Sequence, residues 1–233
     1  MDRFAIFVFC MGCAACGGAT IEPDGGAGEA GGDAGVMDAA VVRDGGPFVT
    51  GVVSFEAGPC SGFGSAAMPD IVEGPPVPGG MTQGSTDVVS LGVGGSAVVS
   101  FAPNAIVDGP GADFVVFENA FYVGGNPSDV YAEPGEVSVS DDGVAWHTYP
   151  CTATAGNPPY GQCAGSHPVA ENVSPLDYPA CGGDGFDLAD LGVTHARYVR
   201  IVDHSGETCD PQVPTKNAGF DLDAVAVVNA APQ

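Results

Sequence analysis

The sequence predicts an all-β fold, an antiparallel sandwich with long loops and at most a short helical turn. Short apolar runs rich in Val, Phe and Ile recur between clusters of Gly, Pro, Asn and Asp, and no long stretch spaces its apolar residues as a helix would. The chain carries 37 glycines and 20 prolines in 233 residues. That density of turn formers suits many short strands.

The chain opens with MDRFAIFVFCMGCAAC, in which Arg3 precedes an unbroken apolar run from Phe4 to Ala15. Such a run is too short for a bilayer, which needs about 20 apolar residues, so residues 1–15 read as an export signal. The stretch resembles a bacterial lipoprotein signal, in which small residues lead to the cysteine that is lipidated after cleavage. That likeness places the lipid on Cys16 and the protein at the outer membrane or cell surface, held to the membrane through its N-terminal lipid alone. Residues 16–47 are rich in Gly, Ala and acid and offer little to bury, which makes them a flexible tether.

Residues 48–233 are long enough for one domain with a substantial core. Of the chain's 29 acids and five bases, 22 acids and three bases (Arg197, Arg200 and Lys216) fall here, a formal charge near −19. The balance excludes general affinity for nucleic acid or anionic lipid and favours cations. It also suits a soluble monomer.

In chain order, the expected strands are 48–55, 87–91, 96–101, 113–118, 136–140, 144–149, 196–203 and 220–228. LGVGGSAVVSF (91–101) suggests a hairpin over a Gly-rich turn, and VSVSDDGVAWHTY (137–149) another, turning at Asp141-Asp142-Gly143. FDLADLG (186–192) suits one short helical turn with Phe186, Ala189 and Leu191 on a face. Five cysteines lie in the domain, none in CxxC spacing, so disulfides are expected rather than zinc. Cys151 and Cys163 bracket a Gly- and Pro-rich loop and are the first expected pair. Cys181 with Cys209 is the second, leaving Cys60 odd.

VSVSDDGVAW (137–146), followed by ARYVRI (196–201), resembles discoidin-type, galactose-binding-like domains. That resemblance implies a jelly-roll sandwich, with Trp146 capping one end of the core and Val199 and Ile201 sharing a face. The closing run GFDLDAVAVV (219–228) resembles the last strand of related carbohydrate-binding modules. Across residues 86–228 the series VVSLGVGGSAVVSF, IVDGPGADFVVFENAF, AEPGEVSVSDDG, CAGSHPV, FDLADLG and GFDLDAVAVV looks like a family of bacterial cell-surface proteins, a likeness that brings no activity with it.

Gly-Phe-Asp-Leu occurs twice, at 185–188 and 219–222, each time with a further Asp close by. Asp221 and Asp223 are two apart and would share one face of a strand, about 7 Å apart. Asp187 and Asp190 would share one side of the helical turn. Asp184 sits in a Gly-rich loop, and Glu118 ends an apolar strand where an acid needs a partner. Oxygen ligands with few basic partners suit a hard cation, so a structural Ca²⁺ held by a subset of Asp184, Asp187, Asp190, Asp221, Asp223 and Glu118 is one expectation. The other is that these acids form turns, cap elements or pair with Arg197 and Arg200.

No GxSxG occurs, and His147, His167, His195 and His204 are scattered. The expected function is a non-enzymatic, surface-displayed binding or adhesion module that meets a glycan or another surface component, with Tyr160 and Trp146 as its aromatic contacts. The rival is a secreted, glycosidase-like hydrolase with its site in the loops of residues 150–180.

Overall fold

The computed structural model describes residues 45–152, 160–210, 212 and 215–233. The signal segment with Cys16 and nearly all of the tether lie outside the described residues. No helix among the described residues is long and apolar enough to cross a membrane.

The described chain is all-β and sandwich-like, with only short 3-10 turns between strands. One sheet orders β1 (Gly51–Glu56), β3 (Ser96–Ser100), β12 (Tyr198–Asp203), β8 (Gly135–Ser140) and β9 (His147–Thr148). The facing sheet orders β10 (Asp184–Phe186), β5 (Phe114–Glu118), β13 (Asp221–Val227) and β2 (Val89–Ser90). A three-stranded sheet of β11 (His195–Ala196), β4 (Asn104–Val107) and β14 (Ala230–Pro232) closes one end, and β6 (Phe121–Tyr122) pairs with β7 (Val130–Tyr131) as a ribbon. All these pairings are antiparallel.

In β12 the buried residues are Val199, Ile201 and Asp203, alternating with partly exposed ones. Val199 and Ile201 meet Val137, Val139, Phe114, Val116, Leu222 and Val225 in one core. The facing sheet behaves differently: β5 and β13 are buried along their whole length. Their second face, Val115, Phe117, Ala224 and Ala226, lies under Val169, Val173 and Cys181. The irregular chain between residues 164 and 183 is therefore a cover over that sheet. A strand covered on both sides reads as an unbroken apolar run, which is why FVVFE shows no alternation.

Several expectations need correcting. The Gly turn at 92–95 does not close a hairpin, because β2 pairs with β13 while β3 pairs with β1 and β12. Gly92, at φ +79°, turns the chain from one sheet to the other. Its Cβ position lies 2.5 Å from the Gly58 carbonyl oxygen, so a side chain would not fit. The hairpin at Asp141–Gly143 does form, joining β8 to β9, but β9 is only two residues long. Trp146 does not cap the core. It is half-buried, with the Arg200 guanidinium 4.5 Å from its ring centroid. Phe186 closes β10, and the 3-10 turn Leu188–Leu191 buries Leu188; of the three residues expected on one face, Leu191 packs against the same core as Phe186 while Ala189 is exposed.

Cys151 pairs with Cys163 as expected. The second bridge is Cys60–Cys209, with Cα atoms 5.6 Å apart, and Cys181 is a free thiol buried in the second apolar cluster. The Cys181–Cys209 pairing is thus wrong, because Cys181 faces the sheet and is occupied by packing. A disulfide restricts the unfolded chain more when its loop is longer, roughly 3 kcal/mol for about 15 residues and 4.7 for about 100. The bridges have sequence separations of 149 and 12. In urea titrations, Cys60→Ala/Cys209→Ala is expected to lose about 1–2 kcal/mol more stability than Cys151→Ala/Cys163→Ala; equal losses would contradict this ordering.

Candidate functional site

The two Gly-Phe-Asp-Leu segments flank β5 on opposite sides and reach opposite ends of it. In β10, Phe186 pairs with Phe114, so Asp187 lies beyond the start of β5. In β13, Leu222 pairs with Glu118, so Asp221 lies beyond its end. The six expected ligands therefore do not form one cage.

Asp184 is satisfied by protein donors alone. Its carboxylate accepts from the Gly165 and Ser166 amides at 2.8 and 2.9 Å and from the Ser166 hydroxyl at 2.6 Å, and lies 2.7 Å from His167 Nδ1. The hydrogen bond to Asp184 holds the His167 imidazole above its ordinary value. Ser166, His167 and Asp184 touch, yet Ser166 Oγ and Asp184 both meet the same ring nitrogen, Nδ1. A nucleophilic triad needs the serine and the carboxylate on different nitrogens. The contact instead fastens the cover segment to β10.

Asp187 caps its 3-10 turn by accepting from the Ala189 amide at 2.8 Å. Its carboxylate gathers with those of Asp108 and Asp113, three oxygens within 4.8 Å of one another. Asp113 is wholly buried but already accepts from the Gly109 and Leu188 amides and from Asn229 Nδ2. Asp190 is exposed and accepts from Gln162 Nε2.

The other end of β5 is an acidic pole. Antiparallel register brings the end of β12 beside the start of β8, and the end of β5 beside the start of β13. Asp203, Glu133, Glu118 and Asp221 come from those four places. Asp203 ties the sheets together, accepting from the Gly94 amide at 2.9 Å and the Phe220 amide at 2.9 Å. Asp221 accepts from the Ser90 hydroxyl and from Asn119 Nδ2 at 3.4 Å. Asp223 does not share its partners, because the register shifts between Leu222 and Ala224. Both its oxygens instead accept from the Val77 amide, at 3.1 and 3.2 Å.

Glu118 is 2% exposed and Glu133 4%. Glu118 Oε2, Asn119 Oδ1 and Glu133 Oε1 are buried without a hydrogen-bond partner among the described residues. Burial, then the charges of Glu133, Asp221 and Asp184, pushes Glu118 well above the carboxylate range. Glu133 is pushed up to about 9 by burial, by the Asp221 and Glu207 charges and by a hydrogen bond to Glu207. Burial raises Asp223 to about 8 and Asp221 to about 6. No ion pair among the described residues relieves this pole, although Lys216 lines a groove with Asp221. Arg197 pairs with Asp141, and Arg200 lies against Trp146 and Ser138.

Three openings surround the pole. A cavity of about 10 Å³ is lined by Glu118, Asn119, Asp223, Gln83 and Ser85, by Ala120 and Val169, and by backbone around Gly79, Gly80 and Gly84. An open groove of about 200 Å³ runs over Phe63, Ser85, Asn119, Lys216, Asn217 and Asp221. A wider groove of about 370 Å³ is lined by Tyr131, Glu207, Thr208, Thr215, Asn217 and Ala218. Tyr131 stacks on Phe121 with ring centroids 5.0 Å apart and is 44% exposed. Tyr160 and Trp146 line none of these openings.

Sequence reasoning found Glu118, Asp221 and Asp223 but missed Glu133, Asn119 and Glu207. The available signals were the Glu118-Asn119 doublet ending an apolar strand and the acid just before β8. No protein-family model matches the sequence, and no curated protein matches it either.

The raised carboxyls set a direction with pH. Unfolded, these groups release protons near pH 4, whereas folded they hold them to about 6–9, so the folded state binds more protons in that window. Stability then falls as pH rises from about 4 to 9. In thermal melts with chelator present, Tm should drop across that range, and Glu133→Gln should flatten the drop. A Tm rising steadily to pH 9 would contradict this account.

Proposed function

We propose that the protein is a non-enzymatic binding module displayed outside the cell, a galactose-binding-like jelly roll that reads a glycan through loops at one end of its sandwich. The observation that carries this reading is the pair of open grooves beside the acidic pole, which meet at Asn217. Sugars are bound by an aromatic ring stacked on an apolar face together with polar groups that meet hydroxyls. Tyr131 supplies the ring, and Glu207, Thr208, Thr215 and Asn217 supply donors and acceptors. The ribbon of β6 and β7 holds the tyrosine by stacking it on Phe121. Binding groups on loops over a rigid sandwich are the usual arrangement for such modules. In this reading the lipid on Cys16 and the tether of residues 16–47 hold the module at the membrane surface, and it acts as a monomer.

A hydrolase remains the second reading, because carboxyls with raised proton affinity converge at the same pole. General acid–base hydrolysis needs two such groups on either side of the scissile bond. Glu118 and Glu133 are buried, and of the strongly shifted acids only Asp221 lines an open groove. One reachable acid favours binding over turnover.

On a glycan array, the full chain is expected to select a restricted set of sugars, and Tyr131→Ala to weaken that binding about tenfold or more. Fluorogenic glycosides are expected to stay intact. An array with no ligand would remove the glycan, and hydrolysis abolished by Asp221→Asn would replace this reading with the second.

A further inference from the structure

We infer that the cavity between Glu118, Asn119 and Asp223 is a calcium site, with Gln83 and Ser85 at its wall. This goes beyond the binding reading and does not rest on it.

The first observation is a pair of buried oxygens with nothing to bond. Glu118 Oε2 and Asn119 Oδ1 have no partner, and both residues line the same cavity. A native fold rarely leaves buried polar atoms in that state, and an ion is one of the few occupants that satisfies them. Asn119 Nδ2 is turned to Asp221, leaving Oδ1 as the atom to be satisfied. The Asn119 amide lies where a side chain on Gly84 would fall, 2.1 Å from that Cβ position, so the loop of Gly84 closes directly over it.

The second observation is size and lining. About 10 Å³ is close to what a single water-sized sphere needs, so the cavity takes an ion or one water and no organic ligand. Its lining residues bring two carboxylates, two side-chain amides and a hydroxyl, with glycine-rich backbone around them and Ala120 and Val169 as the apolar part of the wall. Asp223 accepts from only one amide, Val77, so both its oxygens retain capacity. Irregular oxygen ligands of mixed charge on a loop and two strand ends suit Ca²⁺, which accepts six to eight oxygens. Mg²⁺ demands a stricter octahedron.

The third observation is the field. The acids Glu133 and Asp221 act on Glu118, and Asp87 acts on Asp223, so like charge gathers around the cavity. No Lys or Arg among the described residues forms an ion pair with either ligand. A divalent cation would offset the charge gathered there. The Asp108–Asp113–Asp187 group at the other end of β5 lacks the orphaned oxygens, since Asp113 is filled by protein donors.

The test is calorimetric titration of the full chain with Ca²⁺, paired with thermal melts in calcium, magnesium or chelator. Expected are one site per chain and a Tm rise of about 5–10 °C when calcium exceeds its Kd a hundredfold, with a smaller rise in magnesium. Glu118→Gln and Asp223→Asn should each abolish the calcium-dependent rise while melting in chelator at or above the wild-type temperature. Asp108→Asn should leave the rise intact. Identical wild-type melts in calcium and chelator with no binding heat would overturn the site, as would an undiminished rise in Glu118→Gln. A rise lost in Asp108→Asn would move the ion to the other end of β5, and an equal rise in magnesium would overturn the choice of calcium.

Discussion

A single strand that must be covered on both faces, and that ends on an acid, governs this molecule. Phe114, Val116 and the residues around them form the core against the five-stranded sheet, while Val115 and Phe117 need cover on the other side. The cover is an irregular segment, and it must be pinned. Asp184 does this by taking the amides of Gly165 and Ser166, converting a charge next to the centre of the sheet into a fastening for the loop. Each of those charge-assisted bonds is stronger than a neutral one, and together they leave Asp184 without need of a metal.

The same strand then delivers Glu118 to a place where β12, β8 and β13 also bring acids. The molecule concentrates like charge at one pole, and among the described residues no ion pair offsets it. Desolvated like charges are costly, and two ways of removing the cost are open: a proton or a cation. The Glu133 carboxyl, pushed up to about 9 by burial and by neighbouring acids, takes the first of these. The small cavity beside Glu118 is where the proposed cation would act. Both act at the base of the loops that frame the two open grooves, so the electrostatics of the buried pole and the shape of the proposed binding surface are mechanically linked through Asn119 and Asp221.

Trp146 is the chain's sole tryptophan, and it covers an arginine on the outer face of a sheet. Tyr131 belongs to a two-residue strand with no apolar pattern to mark it, and its ring is stacked on Phe121.

From residue order alone, the all-β class, the positions of β3, β5, β8, β12 and β13 and the Cys151–Cys163 bridge were legible, because each rests on local pattern: apolar runs, turn residues and a short closed loop. β4, β11 and β14 were not, since two to four residues beside Pro, Thr or Asn carry too little periodicity. Pairing across long separations was also hidden. Cys60 and Cys209 are joined over a separation of 149, and nothing near either cysteine announces the other. The repeated Gly-Phe-Asp-Leu shows the boundary most clearly. Local sequence made both aspartates start or cap an element, but only the antiparallel register on either side of β5 sent one to a satisfied turn and the other to a pole of unpaired oxygens. Identical tetrapeptides acquire different chemistry because the field and the partners at a site are supplied by residues distant in sequence.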